Sequence, residues 1–213
     1  MGILPVINCP DFKSVQSTIE KTKTFLPEGS FLHCDIADAA MTFHKTWNDP
    51  TAWANLHAPY QLEVHLMVEH PVQQLEAWVA AGARRFIVHY EVLSDASFAQ
   101  ILDICRKDNV GIALASNPET TVDRLAPYLK YFSMVQVLCV QPGFAGQKFL
   151  PLSLDKIKWL RREWPHAIIE VDGGMNPVTA KLVKDAGADF IVSSSYIFGS
   201  GDPGISYQIL KEV

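Results

Sequence analysis

Hydrophobic and polar positions along the chain fall into two alternating rhythms. Short apolar runs rich in β-branched residues, at 3–7, 31–37, 61–68, 85–91, 109–115, 134–140, 167–172 and 190–194, read as strands. Between them, segments such as 71–81, 98–107, 152–163 and 177–186 repeat their apolar residues at helical period. Asn117-Pro118-Glu119 and Asn176-Pro177 each set a cap before a proline, the signature of a helix start. Ala81-Gly82 and Ala186-Gly187 supply the stops. Eight strand–helix units in 213 residues predict an α/β protein closed into a parallel (β/α)8 TIM barrel. An open doubly wound sheet is the rival, but it ordinarily carries a glycine-rich nucleotide turn after its first strand, and none stands there. No linker or low-complexity segment divides the chain, so residues 1–213 are expected to form one domain.

Composition narrows the class of partner. The chain is 48% hydrophobic and 19% charged, as an ordered globule requires. A net charge of −5 without any Lys/Arg block argues against nucleic acid or an anionic membrane surface. An anionic substrate would then have to be held by local dipoles. The start, Met1-Gly2-Ile3-Leu4-Pro5, has neither a basic leader nor a long apolar run, and no stretch reaches the roughly 20 apolar residues of a membrane span. Cysteines at 9, 34, 105 and 139 show no CxxC spacing, which fits a reducing cytoplasm.

If the fold is a barrel, chemistry gathers at the C-terminal ends of its strands. The second strand, Phe31-Leu32-His33-Cys34-Asp35-Ile36-Ala37, places His33 and Asp35 on one face and Cys34 on the other. The third brings His65 to a corresponding height, and the seventh ends in Asp172. Singly, a strand histidine is more often a core residue and a strand-end aspartate more often a helix cap. Together, two imidazoles and two carboxylates form a ligand set for Zn²⁺, Fe²⁺, Mn²⁺ or Co²⁺, too rich in nitrogen for Mg²⁺ or Ca²⁺.

A second grouping suits phosphate. Gln141-Pro142-Gly143-Phe144-Ala145-Gly146-Gln147 follows strand six, Asp172-Gly173-Gly174 closes strand seven, and Ser193-Ser194-Ser195 closes strand eight before a short helix. Glycines let backbone N–H groups approach an anion, and barrels tend to bind phosphate after strands seven and eight.

His33-Cys34-Asp35, Val64-His65-Leu66-Met67-Val68, Val88-His89-Tyr90-Glu91, Gln141 to Phe149 and Glu170-Val171-Asp172-Gly173-Gly174-Met175-Asn176 resemble, in order and spacing, the ribulose-phosphate 3-epimerase family, from about residue 3 to 200. The resemblance implies a metal held by His33, Asp35, His65 and Asp172, with Asp35 and Asp172 also the acid–base pair. It implies substrate contacts at Cys9 and His65 and phosphate contacts at Gly143, Phe144, Ala145, Gly146, Gly173, Gly174, Ser194 and Ser195. The implied substrate is a phosphorylated ketose, with homo-oligomer formation left open.

Epimerising C3 of a 2-ketose means removing the proton alpha to the carbonyl and returning one to the opposite face. Two carboxylates can exchange the roles of base and acid, and a divalent ion can hold the enediolate charge. Met67 and Leu138 are candidates for the apolar cavity wall, and His89 is expected to be structural. His44 is a substrate contact or a loop residue, and Trp47, Trp53 and Trp78 are core or interface anchors.

The chain departs from the family pattern at Ala37-Asp38-Ala39-Ala40-Met41-Thr42-Phe43-His44, where a loop normally helps close over substrate. Cys9 stands where the family has serine, Ala37 and Leu138 where it has methionine, and Ser194 where it has glycine. The altered loop leaves open another phosphoketose, such as allulose 6-phosphate, or a non-catalytic sugar-phosphate-binding barrel.

Overall fold

The computed structural model describes residues 1–142 and 146–213. The chain runs β1 (Gly2–Ile7), α1 (Phe12–Thr22), β2 (Phe31–Ala37), α2 (Pro50–Leu56), β3 (Gln61–Met67), α3 (Val72–Ala80), β4 (Ala83–His89), a 3-10 turn (Tyr90–Val92) and α4 (Asp95–Lys107). It continues with β5 (Gly111–Ser116), α5 (Val122–Leu129), β6 (Met134–Leu138), α6 (Ser153–Glu163), β7 (Ile168–Asp172), α7 (Pro177–Ala186), β8 (Phe190–Ser193), α8 (Ser195–Phe198) and α9 (Pro203–Glu212). The strands pair in parallel, each with the next, and β8 closes on β1, the (β/α)8 barrel the alternation predicts.

Strand alternation divides the apolar residues between two places. Outward-facing side chains such as Cys34, Val64, Leu66, Val135 and Ile169 pack under the helices with Trp53, Trp78, Leu75 and Ile157 in one large core. Inside the barrel, Ile87, Ala113, Ala115, Met134 and Leu138 form one apolar group, and Leu4, Val6 and Val192 another. The interior also holds a polar group: His33, Asp35, Glu63, His65, His89, Gln136 and Glu170 are all buried.

Two helix starts differ from the sequence expectation. Four residues, 118–121, separate Asn117 from α5, because its backbone N–H is taken by Glu91 and its carbonyl by Lys156 Nζ at 2.6 Å, holding 117–120 as a turn. α4 begins at Asp95, three residues early, through a Ser94–Ser97 capping box. Trp53 and Trp78 lie in the core, and Trp47 stacks on Phe12 at 5.5 Å, fastening the end of the β2–α2 connection. No helix among the described residues is long and apolar enough to cross a membrane. The four cysteines are buried and free.

Candidate active site

Register does what alternation alone cannot. β2 and β3 pair so that Asp35 lies beside His65 and His33 beside Glu63, while β6 and β7 set Leu138 beside Asp172. One ligand atom each from His33, Asp35, His65 and Asp172 lies within 4.8 Å of the others. Asp35 Oδ1 is 3.1 Å from His33 Nε2 and 3.0 Å from His65 Nδ1, and His65 Nδ1 is 3.8 Å from Asp172 Oδ2. Ligand atoms around a tetrahedral ion at about 2.1 Å stand about 3.4 Å apart, so one ion could be held among these four groups. The structure thus brings all four expected ligands together.

The proton count gives an independent test of fit. Asp35, His65, His89 and Glu91 form a line with three contacts: Asp35 to His65 Nδ1, His65 Nε2 to His89 Nε2 at 2.8 Å, and His89 Nδ1 to Glu91 Oε2 at 3.3 Å. Burial outweighs the carboxylates' pull and holds both imidazoles below their usual range, which favours the neutral rings. Two neutral rings carry two protons, and the line has three gaps to fill. A cation at the Asp35 end closes the count. His33 tells the same story, since both its nitrogens face carboxylates, Nε2 toward Asp35 and Nδ1 toward Glu63 Oε1 at 2.6 Å. Burial opposes its charge, yet hydrogen bonds to Asp35 and Glu63 hold the ring well above its usual range. A metal at Nε2 would take over from that proton, with Glu63 orienting the ring from behind.

Asp35 and Asp172 are pushed in opposite directions. Burial works to raise Asp35, but hydrogen bonds from His33 and His65 prevail and hold it below the usual carboxylate range. Burial first, then the Asp35 charge, lift Asp172 to about 7. Asn8 Nδ2 donates to Asp35 Oδ2 at 2.8 Å, turning Oδ1 toward the histidines.

Beneath the quartet lies a second polar group, His33, Glu63 and Glu170, whose cation is already present. The Arg85 guanidinium bonds Glu63 and stands 3.9 Å from Glu170 Oε2. Burial and the Glu63 charge push Glu170 well above its usual range.

Above the quartet opens a cleft of about 520 Å³, its mouth included, with Asp35, Asp172 and Asn8 in its lining. Met67, Leu138, Val140 and Val192 wall it, and Gly146, Gly173, Gly174, Ser194 and Ser195 stand with them around it, as the sequence expects. Gly173 and Gly174 have φ of +107° and +69°, and a Cβ on Gly174 would stand 2.8 Å from Phe149 N. Gly143, Phe144 and Ala145 lie outside the described residues.

One expected contact lies away from the cleft lining. Cys9 is absent from the cleft lining: its thiol faces Thr18 Oγ1 at 3.5 Å in the outer core, because alternation gives the cleft Asn8 instead. His65 is fully buried and reaches the site only through Nδ1. His44 is half-buried and also outside the lining. Sequence reasoning passed over Asn8, Glu63 and Arg85, and named Ser193 only within the serine run that suits phosphate. Ser193 lines the cleft with its hydroxyl buried and unpartnered among the described residues. Its place in the serine run was the only signal.

The profile of the Ribulose-phosphate 3 epimerase family matches residues 3–198. The ribulose-phosphate 3-epimerase of Chlamydia pneumoniae is 34% identical over 203 residues, covering 90% of this chain and 86% of the relative. The cytoplasmic isoform from Oryza sativa subsp. japonica is 34% identical over 186 residues, covering 85% and 81%. Among solved structures, a 3-hexulose-6-phosphate synthase superposes with a TM-score of 0.74 at 15% identity, covering 100% of this chain and 99% of that one. A 3-keto-L-gulonate-6-phosphate decarboxylase from Vibrio cholerae O1 biovar El Tor str. N16961 follows at 0.73 and 13%, covering 99% and 95%. At that identity the likeness speaks for the barrel alone.

Proposed function

This chain belongs to the ribulose-phosphate 3-epimerase family, and from that premise we propose that it interconverts D-ribulose 5-phosphate and D-xylulose 5-phosphate at C3. A divalent transition ion held by His33, Asp35, His65 and Asp172 is part of the proposal. The carrying observation is the pair Asp35 and Asp172, two carboxylates in one buried cluster whose proton affinities diverge. Groups pushed apart in this way are suited to opposite duties, one as base and one as acid.

When bound, the ion supplies Lewis acidity toward the oxygen charge that develops as the C3 proton leaves. Asp35 and Asp172 serve as the acid–base pair, one taking the C3 proton and the other returning one to the opposite face; in the reverse direction they exchange roles. Asn8 keeps Asp35 aimed, and Met67, Leu138, Val140 and Val192 exclude water from the carbanion-like centre. The phosphate is assigned to the end lined by Gly146, Gly173, Gly174, Ser194 and Ser195, with the unpartnered Ser193 hydroxyl as a further donor. Residues 1–213 act as a single domain in this reading, in the cytoplasm, with no nucleic-acid or membrane partner.

One observation favours a second reading. The loop at 38–45 is tied back on itself by the Asp38–Lys45 bridge and by Asp38 Oδ1, which accepts from Ala40 N at 2.8 Å. None of its residues lines the cleft, which leaves room for a longer phosphoketose such as allulose 6-phosphate. Turnover of both sugars by protein loaded in turn with Zn²⁺, Mn²⁺, Fe²⁺ and Co²⁺ separates the readings. Faster turnover of ribulose 5-phosphate is expected, faster turnover of the hexulose would replace it, and turnover of neither with any ion would leave a sugar-phosphate-binding barrel without catalysis.

A further inference from the structure

An imidazole can bind a metal through only the nitrogen that carries its lone pair, and two tautomers compete for that choice. What selects the tautomer of His65 lies on the side of its ring away from Asp35. There His65 Nε2 meets His89 Nε2 at 2.8 Å, with the rings only 12° from parallel and their centroids 5.0 Å apart. With the two nitrogens so much closer than the ring centres, this is an edge-to-edge N–H···N bond rather than a face stack. His89 Nδ1 in turn faces Glu91 Oε2 at 3.3 Å. Glu91 is held from behind, since its Oε1 accepts from Asn117 N at 2.9 Å and from the Thr120 hydroxyl.

The direction of this relay follows from its fixed end. A carboxylate only accepts, so the proton on His89 sits at Nδ1 and its Nε2 carries the lone pair. That lone pair accepts from His65 Nε2–H. The lone pair of His65 is then left at Nδ1, 3.0 Å from Asp35 Oδ1 and 3.8 Å from Asp172 Oδ2, inside the ligand quartet. We propose that His89 and Glu91 are positioning residues that set the tautomer of His65 and so make its Nδ1 a metal ligand. Neither lines the cleft, so neither is assigned a contact with substrate. The inference rests on the reading of the quartet as a divalent-metal site.

Glu91→Gln tests it with almost no change in volume. The Asn117 N–H and Thr120 O–H hold the amide oxygen, which turns the amide NH₂ toward His89. His89 must then accept at Nδ1 and donate from Nε2, and His65 carries its proton at Nδ1: the relay inverts. Co²⁺ and Zn²⁺ affinities of the full-length wild type, Glu91→Gln, His89→Leu and His89→Gln are measured by chelator competition. Thermal unfolding checks each variant, and imidazole ¹⁵N spectra of the zinc-loaded proteins report which His65 nitrogen is protonated.

The expected result is a loss of roughly 10- to 100-fold for Glu91→Gln and His89→Leu. His89→Gln, whose amide oxygen can still accept from His65 Nε2–H, recovers most of it, and the wild-type spectrum shows the proton at Nε2. Wild-type affinity in folded Glu91→Gln overturns the relay while leaving the metal site standing. If Glu91→Gln does not fold, the two His89 variants decide: equal affinities for them likewise overturn the relay. Failure of the wild type to bind either ion overturns the metal reading itself.

Discussion

At Asp172, burial and the Asp35 charge act in the same direction and lift the carboxyl to about 7, against an ordinary 3.8. In protein stripped of metal, the folded state therefore keeps a proton between those values that the unfolded chain has released. Stability should fall as pH rises through that window, by at most about 1.4 kcal/mol per pH unit from this one group. Asp172→Asn removes the group and should flatten that part of the profile. Urea midpoints of the two metal-free proteins across the window check it, and equal slopes would show that Asp172 is ionised throughout. The quartet itself was legible because strand alternation and motif spacing both point to it. The partners behind it were not: Glu63 meets His33, and Arg85 meets Glu63, only through the pairing of β2, β3 and β4. His89 was expected to be structural, and its inward direction was readable, but its contact with His65 depends on a register the sequence does not display. Cys9 was assigned a substrate contact by alignment with a serine, and a one-residue alternation on the chain after β1 gives that place to Asn8.

The turn from β7 into α7 was the best-read element, because its signals are local. Asn176 caps Val178 and Thr179, Thr179 answers with its hydroxyl to Asn176 N, Pro177 occupies the first turn, and Gly187 ends the helix at φ +114°. The two glycines before it answer to a different demand. Gly174 at φ +69° passes against the Phe149 backbone, where a methyl group would need to occupy space 2.8 Å from an amide nitrogen. Gly174→Ala is expected to cost about 1–3 kcal/mol, from the left-handed backbone and the contact together, as measured by chemical denaturation. An unchanged midpoint would mean that Phe149 yields freely. The start of α5 was read too early for the opposite reason: Glu91 and Lys156, distant in sequence, hold Asn117 in a turn that its local Asn-Pro signal does not foretell.

Across the barrel the polar interior is layered. Arg85 pairs with Glu63 in the lower layer, and the upper quartet has no side-chain cation of that kind among the described residues, with carboxylates facing both nitrogens of His33 and an incomplete proton line through His65. The fold supplies a cleft lined by apolar side chains, by two carboxylates of divergent proton affinity, and by glycines and serines. The closed topology and the family resemblance were both readable along the chain, since eight repeats of one rhythm leave few alternatives. How the 38–45 loop lies was not readable, because Asp38 fixes it through contacts with Ala40, Met41 and Glu69 that no periodicity encodes. The most direct measurement is solvent exchange at C3: ribulose 5-phosphate in D₂O with metal-loaded wild type and with Asp172→Asn, followed by NMR. Deuterium at C3 together with xylulose 5-phosphate is predicted for the wild type, with no xylulose 5-phosphate formed by a folded Asp172→Asn; xylulose 5-phosphate at the wild-type rate in that variant, or no exchange in the wild type, would contradict an Asp35–Asp172 acid–base pair.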